Sequence, residues 1–306
     1  LTSLTCKIGP VEFKNPVFTA SGTFGYGTDL PVFVDVSKLG AIVTKSITYE
    51  TRVGNPPPRI VETPSGMLNS IGLANIGVKK FINNIIPLYN NINTKIIVNI
   101  AGSSNNEYIK VLKEIDAVSS DIVGYEINIS CPNVEHGGME LGVDAKLSNK
   151  LITDLRKFTE KLLIVKLTPN ITDITKIAIA VEDAGADAIS AINTVIGMGI
   201  DINSRKPQIY KTYAGLSGPA IKPIALAMVH KISKVVSIPI IGIGGIVSGE
   251  NVVEFLLAGA TAVEIGTANF RNPNAGDVIL NEINQYLKKN KIANYSELIG
   301  KLNLYE

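Results

Sequence analysis

Apolar and polar positions along this chain alternate between two periods. Short β-branched runs, read as strands, fall at Val17–Ala20, Ala41–Lys45, Ile96–Ile100, Ile122–Asn128, Leu162–Leu167, Ala188–Ile192, Pro239–Ile243 and Ala262–Ile265. Between most of them apolar residues recur every three or four positions, as on one face of a helix; Asn106–Val118, Asp173–Ala184, Ile221–Val235 and Gly249–Leu257 are examples. Eight such repeats in 306 residues predict an α/β fold, a closed (β/α)8 TIM barrel in preference to an open doubly wound sheet.

The punctuation agrees with that reading. Ala184-Gly185-Ala186 and Ala258-Gly259-Ala260 each place glycine where a helix ends just before a strand. Ahead of the first barrel strand, Thr5–Ile8 and Val11–Phe13 flank Gly9-Pro10, an N-terminal hairpin expected to close the barrel floor. Two insertions, Thr48–Ser70 and Asn193–Pro219, follow C-terminal strand ends, where barrels carry their active-site loops. With no linker or shift in composition, residues 1–306 read as a single barrel domain.

Composition removes several function classes. Hydrophobic residues make up 45% and charged residues 18%, enough for a large core without the excess charge of disorder. A net charge of +2, from 29 basic and 27 acidic residues, with no long basic run, argues against a nucleic-acid footprint. Cys6 and Cys131 are too few for a disulfide framework and not in C-x-x-C spacing, and with His136 and His230 they do not supply a zinc or iron–sulfur ligand set. The longest apolar stretch, Ile238 to Val247, is too short and glycine-rich to span a bilayer, and Leu1 to Pro10 lacks a signal-peptide core. A reduced, cytoplasmic protein is the expectation.

Glycine clusters mark one end of the expected site. Gly242-Ile243-Gly244-Gly245-Ile246 follows the seventh strand and Gly266-Thr267-Ala268 the eighth. Loops after strands 7 and 8 form the recurrent phosphate site of these barrels, where backbone N–H groups face the anion and a Cβ would block its approach. Tight turns alone also use glycine, but two clusters on adjacent strands favour a phosphorylated ligand, either FMN or a sugar phosphate.

The chemical end lies after the fourth strand, in Glu126-Ile127-Asn128-Ile129-Ser130-Cys131-Pro132-Asn133. Period-2 alternation puts Glu126 and Asn128 on one face, with Tyr125 and Ile127 on the other. Pro132 stops a helix and leaves Cys131 on a loop between two asparagines, a setting suited to proton abstraction from carbon. A solitary cysteine is otherwise an inert small hydrophobe. Lys45, Asn99 and Lys166 end other strands and Asn193 follows the sixth, so polar groups collect at one end of the barrel. His136 is close enough in sequence to suggest a Cys–His pair, but a Gly-Gly loop does not orient a base and no third group is evident. His230, in an apolar helix, and Cys6, in the floor hairpin, read as packing residues.

The run Asn128–Asn133 resembles the active-site loop of class 1 dihydroorotate dehydrogenases. So do Asn69-Ser70-Ile71-Gly72-Leu73, Thr44-Lys45-Ser46, Ile192-Asn193-Thr194, the run from Leu216 to Pro223, Gly244-Gly245 and the run from Glu264 to Phe270, all in order along nearly the whole chain. The resemblance implies FMN held by Ser21, Lys45, Ser46, Asn99, Asn128, Lys166, Ile192, Gly218, Gly244, Gly245, Gly266 and Thr267. It implies orotate contacts from Lys45, Asn69, Ser70, Ile71, Gly72, Leu73, Asn128, Asn133, Asn193 and Thr194. Cys131 would be the general base, removing a proton from C5 of dihydroorotate while a hydride leaves C6 for the flavin, in de novo pyrimidine (UMP) biosynthesis. Lys166 would face the charge of the reduced flavin; Glu126, on the strand face of Asn128, is a candidate partner for it on the neighbouring strand, the alternative being a separate core hydrogen bond.

Val134-Glu135-His136-Gly137-Gly138 is most like the NAD-linked 1B subgroup. That resemblance implies a partner subunit carrying FAD and a [2Fe-2S] cluster, around a homodimer core of a heterotetramer. Ala214, where the family pattern has glycine, is a small departure. The rival readings are a fumarate-linked 1A enzyme, a pyrimidine-reducing barrel of the dihydropyrimidine dehydrogenase kind, and a non-catalytic phosphate-binding barrel.

Overall fold

Backbone hydrogen-bonding rules require every parallel strand to find two neighbours or an edge, and this chain leaves no edge in its principal sheet. The computed structural model describes residues 3–118, 121–129 and 138–305. In chain order come the hairpin β1 (Cys6–Ile8) and β2 (Val11–Phe13), the strands β3 (Val17–Thr19) and β4 (Ala41–Val43), and the hairpin β5 (Ile60–Thr63) and β6 (Gly66–Asn69). Then follow β7 (Lys95–Ile100), β8 (Ile122–Asn128), β9 (Leu162–Leu167) and β10 (Ala188–Ala191). The short strands β11 (Val195–Gly197), β12 (Ile200–Asp201), β13 (Lys206–Pro207) and β14 (Ala214–Ser217) precede β15 (Ile240–Ile243) and β16 (Ala262–Ile265). The order β10-β15-β16-β3-β4-β7-β8-β9 closes on itself as a barrel. All eight expected strands are in it, their ends within two residues of the expected ones.

The helices form where the periodicity places them, and their ends are chemically marked. Ser104, Asp173 and Ser248 each accept a hydrogen bond from a backbone N–H in the first turn of helices Asn105–Asp116, Ile174–Asp183 and Gly249–Ala258. Gly259, at φ +113, closes the last of these in the left-handed region. The β1–β2 hairpin sits at the N-terminal end of the barrel, where a Cβ on Gly9 would lie 2.8 Å from Asp187 and 3.1 Å from Leu162. Cys6 is fully buried in that hairpin and donates to the Thr261 carbonyl; burial pushes its thiol up to about 11, so it is inert.

The two insertions are more than loops. They pair with each other, 146 residues apart at Asn69 and Gly215, in an antiparallel sheet of order β11-β14-β6-β5. This sheet carries its own small apolar cluster of Leu68, Ile209 and Ala214 over the C-terminal mouth of the barrel. Each strand is four residues or shorter, so no periodicity in either segment announces it. Among the described residues no helix is long and apolar enough to cross a membrane.

Helix-to-strand packing is tight under the glycine-rich strand. A Cβ on Gly242 of β15 would come 2.4 Å from the ring of Phe255, which is fully buried on helix Gly249–Ala258. Phe255→Ala removes a ring that only this close approach accommodates, and is expected to cost about 3–5 kcal/mol. Chemical denaturation checks it: the midpoint should fall while the slope is unchanged.

Candidate active site

Alternation along parallel strands sends every second side chain to the barrel axis, and the last inward residue of each strand to its mouth. There a cavity of about 400 Å³ lies between the strand ends and the inserted sheet. Of the residues singled out for a cofactor, Ser21, Lys45, Ser46, Asn128, Lys166, Ile192, Gly218, Gly244, Gly245, Gly266 and Thr267 all line it. Asn99 does not; it is fully buried beneath, donating through Nδ2 to Glu126 Oε1 at 2.5 Å. Of the residues singled out for a substrate, Lys45, Asn69, Ile71, Gly72, Leu73, Asn128, Asn193 and Thr194 line the same cavity. Ser70 is buried outside it, and Asn133 lies outside the described residues, as do Ser130, Cys131 and His136.

At one end the loops after β15 and β16 meet. The backbone N–H groups of Gly245, Gly266 and Thr267 have no protein acceptor among the described residues, and Thr267 Oγ1 donates to Ser217 Oγ at 2.8 Å. This is a donor-rich corner suited to a phosphate. The need for glycine here differs from the expected one. Gly244 (φ +134) and Gly245 (φ +70) have backbone conformations that L side chains rarely adopt. A Cβ on them would strike Ala225, or Lys222 and the Gly218 carbonyl, within 2.9 Å. The obstruction is on the protein side, so Gly245→Val disturbs the loop whether or not an anion approaches. At Gly266 a Cβ would meet only Ala20 and Thr23, at 3.5 and 3.9 Å.

The floor of the cavity holds buried charge. Lys166 Nζ lies 3.1 Å from Ser21 Oγ, 3.5 Å from Glu126 Oε1 and 3.6 Å from Glu264 Oε2. Register places Lys166 beside Asn128, and Glu126 two residues deeper on β8, so the expected Glu126–Lys166 partnership forms. Burial pulls Lys166 down, but Glu126 and Glu264 outweigh it and keep its pKa above the usual lysine value. Burial likewise pushes Glu126 up, and is outweighed by Lys166, Glu264, Ser190 and Asn99, which hold it below the ordinary carboxylate range. Glu264 was not singled out from the sequence. Its signal was a lone acid inside the apolar run Ala262-Val263-Glu264-Ile265.

At the mouth, the loop from Asn69 to Leu73 is fixed by side chains that sequence reasoning missed. Asn55 Nδ2 donates to the Ser70 carbonyl at 3.1 Å and to Ser70 Oγ at 2.9 Å, so Ser70 serves the loop from outside the cavity. Asn75 Nδ2 donates to the carbonyl of Leu73, which sits at φ +56, and to Thr48 Oγ1. Across the cavity, Asn170 donates to the Thr194 carbonyl at 3.0 Å and accepts from the Ile196 N–H at 2.9 Å. Short polar residues in loops give no individual signal of such roles. Lys45 is lowered from the ordinary lysine value by burial and then by the like charge of Arg59.

Comparison with known proteins identifies the family. A family model described as dihydroorotate dehydrogenase matches residues 3–287. The chain is 49% identical over 301 residues to a Geobacter metallireducens protein named dihydroorotate dehydrogenase B (NAD(+)), catalytic subunit, with 98% of each chain covered. It is 48% identical over 301 residues to the protein of that name from Geotalea daltonii, again with 98% of each covered. A crystal structure of DHODH from Eimeria tenella in complex with ferulenol superposes with a TM-score of 0.83, covering 97% of this chain and 88% of that one; at 23% identity it speaks for the fold alone.

The Asn55–Ser70 contacts give a direct expectation. Asn55→Ala should loosen the loop from Asn69 to Leu73 by roughly one net hydrogen bond, about 1–1.5 kcal/mol. Hydrogen exchange should speed by about tenfold in that loop, while barrel amides exchange as before.

Proposed function

The chain belongs to the dihydroorotate dehydrogenase family, and from that premise we propose that it oxidises (S)-dihydroorotate to orotate with FMN as its resident cofactor. It does so as the catalytic subunit of an NAD-linked enzyme, passing electrons on through a separate iron–sulfur flavoprotein. The observation that carries the reading is the convergence of eleven of the twelve residues expected to hold FMN on one cavity, with Asn99 alone set beneath it.

The donor set suits that cofactor. Ser217, Thr267 and the backbone N–H groups of Gly245, Gly266 and Thr267 would hold a phosphate, and Ser21, Asn128 and Lys166 would face the polar edge of a heterocycle. A sugar phosphate would satisfy the first group but leave the buried lysine and the asparagine without a role. When bound, FMN supplies the acceptor for the electron pair that leaves the substrate.

The remaining chemistry belongs to this chain. Cys131 takes the C5 proton as thiolate, which requires a polar, accessible setting. Asn69, Asn128, Asn133 and Asn193 match the ring amides with both donors and acceptors and add no charge. Lys45 answers the substrate carboxylate, and the inserted sheet shields the reacting carbon from water. The partner reading is supported by the names of the relatives and by the cofactor inventory. The chain has no G-x-G-x-x-G fingerprint and only two cysteines, so nothing in it carries electrons onward to NAD.

Two measurements test this. The purified protein should be yellow, and dihydroorotate but not dihydrouracil should bleach it. Cys131→Ser should keep flavin and fold but lose roughly 100-fold or more in turnover at neutral pH. A colourless protein that cannot be reconstituted leaves only a non-catalytic phosphate-binding barrel, and near-normal turnover of the serine variant removes Cys131 from its role. Separately, the protein alone should reduce an artificial dye with dihydroorotate and reduce NAD slowly or not at all, with NAD reduction restored by the partner subunit. Efficient fumarate reduction would instead place the chain with the 1A enzymes.

A further inference from the structure

The described residues include three fully or almost fully buried charged side chains, Glu126, Lys166 and Glu264, and all three meet at one point on the barrel axis. Two carboxylates and one ammonium leave an excess negative charge where both carboxylates are fully buried, which electrostatics disfavours strongly. The hydrogen bonds show where it is relieved. Both oxygens of Glu126 have donors: Asn99 Nδ2 on Oε1 at 2.5 Å and Ser190 Oγ on Oε2 at 2.7 Å. Neither oxygen of Glu264 accepts a hydrogen bond from any described residue, and its nearest cation is Lys166 at 3.6 Å. A bare carboxylate in that position would be an unsolvated charge. A carboxylic acid carries no charge to solvate, and both acids reach the same ammonium, Glu126 Oε1 at 3.5 Å and Glu264 Oε2 at 3.6 Å from Lys166 Nζ, so one negative charge between them balances it.

We propose that Glu126 and Glu264 share one proton as a buried acid pair, carrying a single negative charge between them, and that this pair fixes the positive charge of Lys166 at the cavity floor. In the native arrangement the proton resides on Glu264, because Glu126 has the better donors. Burial and the charge on Glu126 also push Glu264 well above the ordinary carboxylate range. The two acids are therefore positioning residues for Lys166. One charge has two carriers, and loss of either carboxylate leaves the other to ionise in its place. Glu126, Glu264 and Lys166 are the titratable groups in contact at this point; Ser190, Asn99 and Ser21 complete the surround.

The charge state does not depend on the flavin reading, whereas its effect on the cofactor rests on it, and the test separates the two. Infrared spectroscopy of the purified protein at neutral pH should show a protonated carboxyl band that shifts on 13C labelling of glutamate. That band should vanish in Glu264→Gln. It should vanish equally in Glu126→Gln, although Glu264 is still present there, because Glu264 then ionises to balance Lys166. A purely structural role for the acids does not produce that second loss. A band that survives in Glu126→Gln, or a native protein without any such band, overturns the proposal, and the labelled native protein decides the matter even if a variant fails to fold. In the flavin-loaded protein, Glu126→Gln with Glu264→Gln should weaken FMN binding at least about tenfold beyond the sum of the single effects, because Lys166 then has no counter-charge and gives up its proton. Additive effects would refute the shared charge. Failure to bind FMN in the unmodified protein, with the infrared pattern as expected, would refute the cofactor reading and leave the acid pair standing.

Discussion

Closure of the parallel barrel is the constraint on which the rest of this protein depends. Once β9 pairs with β10 and β10 with β15, every barrel strand has two neighbours, and the direction of each inward side chain is fixed by its position along the strand. Parallel strands also share one polarity, so all their C-terminal ends open at the same mouth. Lys45, Asn128, Lys166, Ile192 and Gly266 come from five different strand ends and line one cavity for this reason. None of them touches another in sequence.

The same closure makes the barrel axis dry, and that sets the rules for charge inside it. Lys166 is tolerable there only because Glu126 lies 3.5 Å away on the neighbouring strand, and Glu126 only because Asn99 and Ser190 approach its oxygens from β7 and β10. The polar cluster ties four strands together by hydrogen bonds through their side chains, in addition to the backbone ladders. It gives the floor of the site a fixed geometry before any ligand arrives.

The mouth obeys different physics. The β11-β14-β6-β5 sheet has a small apolar cluster of its own and is attached to the barrel by loops, with Asn55, Asn75 and Asn170 spending their amide groups on loop carbonyls. Such a lid is ordered by a few hydrogen bonds in place of a deep core, which sets it at the low end of local stability in this molecule. The rigid floor and the lightly held mouth divide the site between precise placement and ligand entry.

Periodicity and punctuation determined the barrel. The eight strands and four helices named in advance all formed, because each is written locally, in β-branched runs, apolar stripes and capping residues. Residue type also marked most of the cavity, since lysines, asparagines and glycines at the C-terminal ends of apolar strands have few structural reasons to be there. Tertiary structure alone decided the rest. The sheet over the mouth joins Asn69 to Gly215 through strands too short to carry a period, so only their meeting in space reveals it. Ser70 and Asn99 moved from the cavity wall to its supports because burial depth is set by neighbouring strands and not by residue type. Gly244 and Gly245 turned out to be required by Ala225, Lys222 and the Gly218 carbonyl, atoms that no local pattern places beside them. Glu264 shows the division most clearly. An acid within an apolar strand is visible in the sequence, but its partners lie 98 and 138 residues away, and only closure of the barrel brings Lys166 and Glu126 to it.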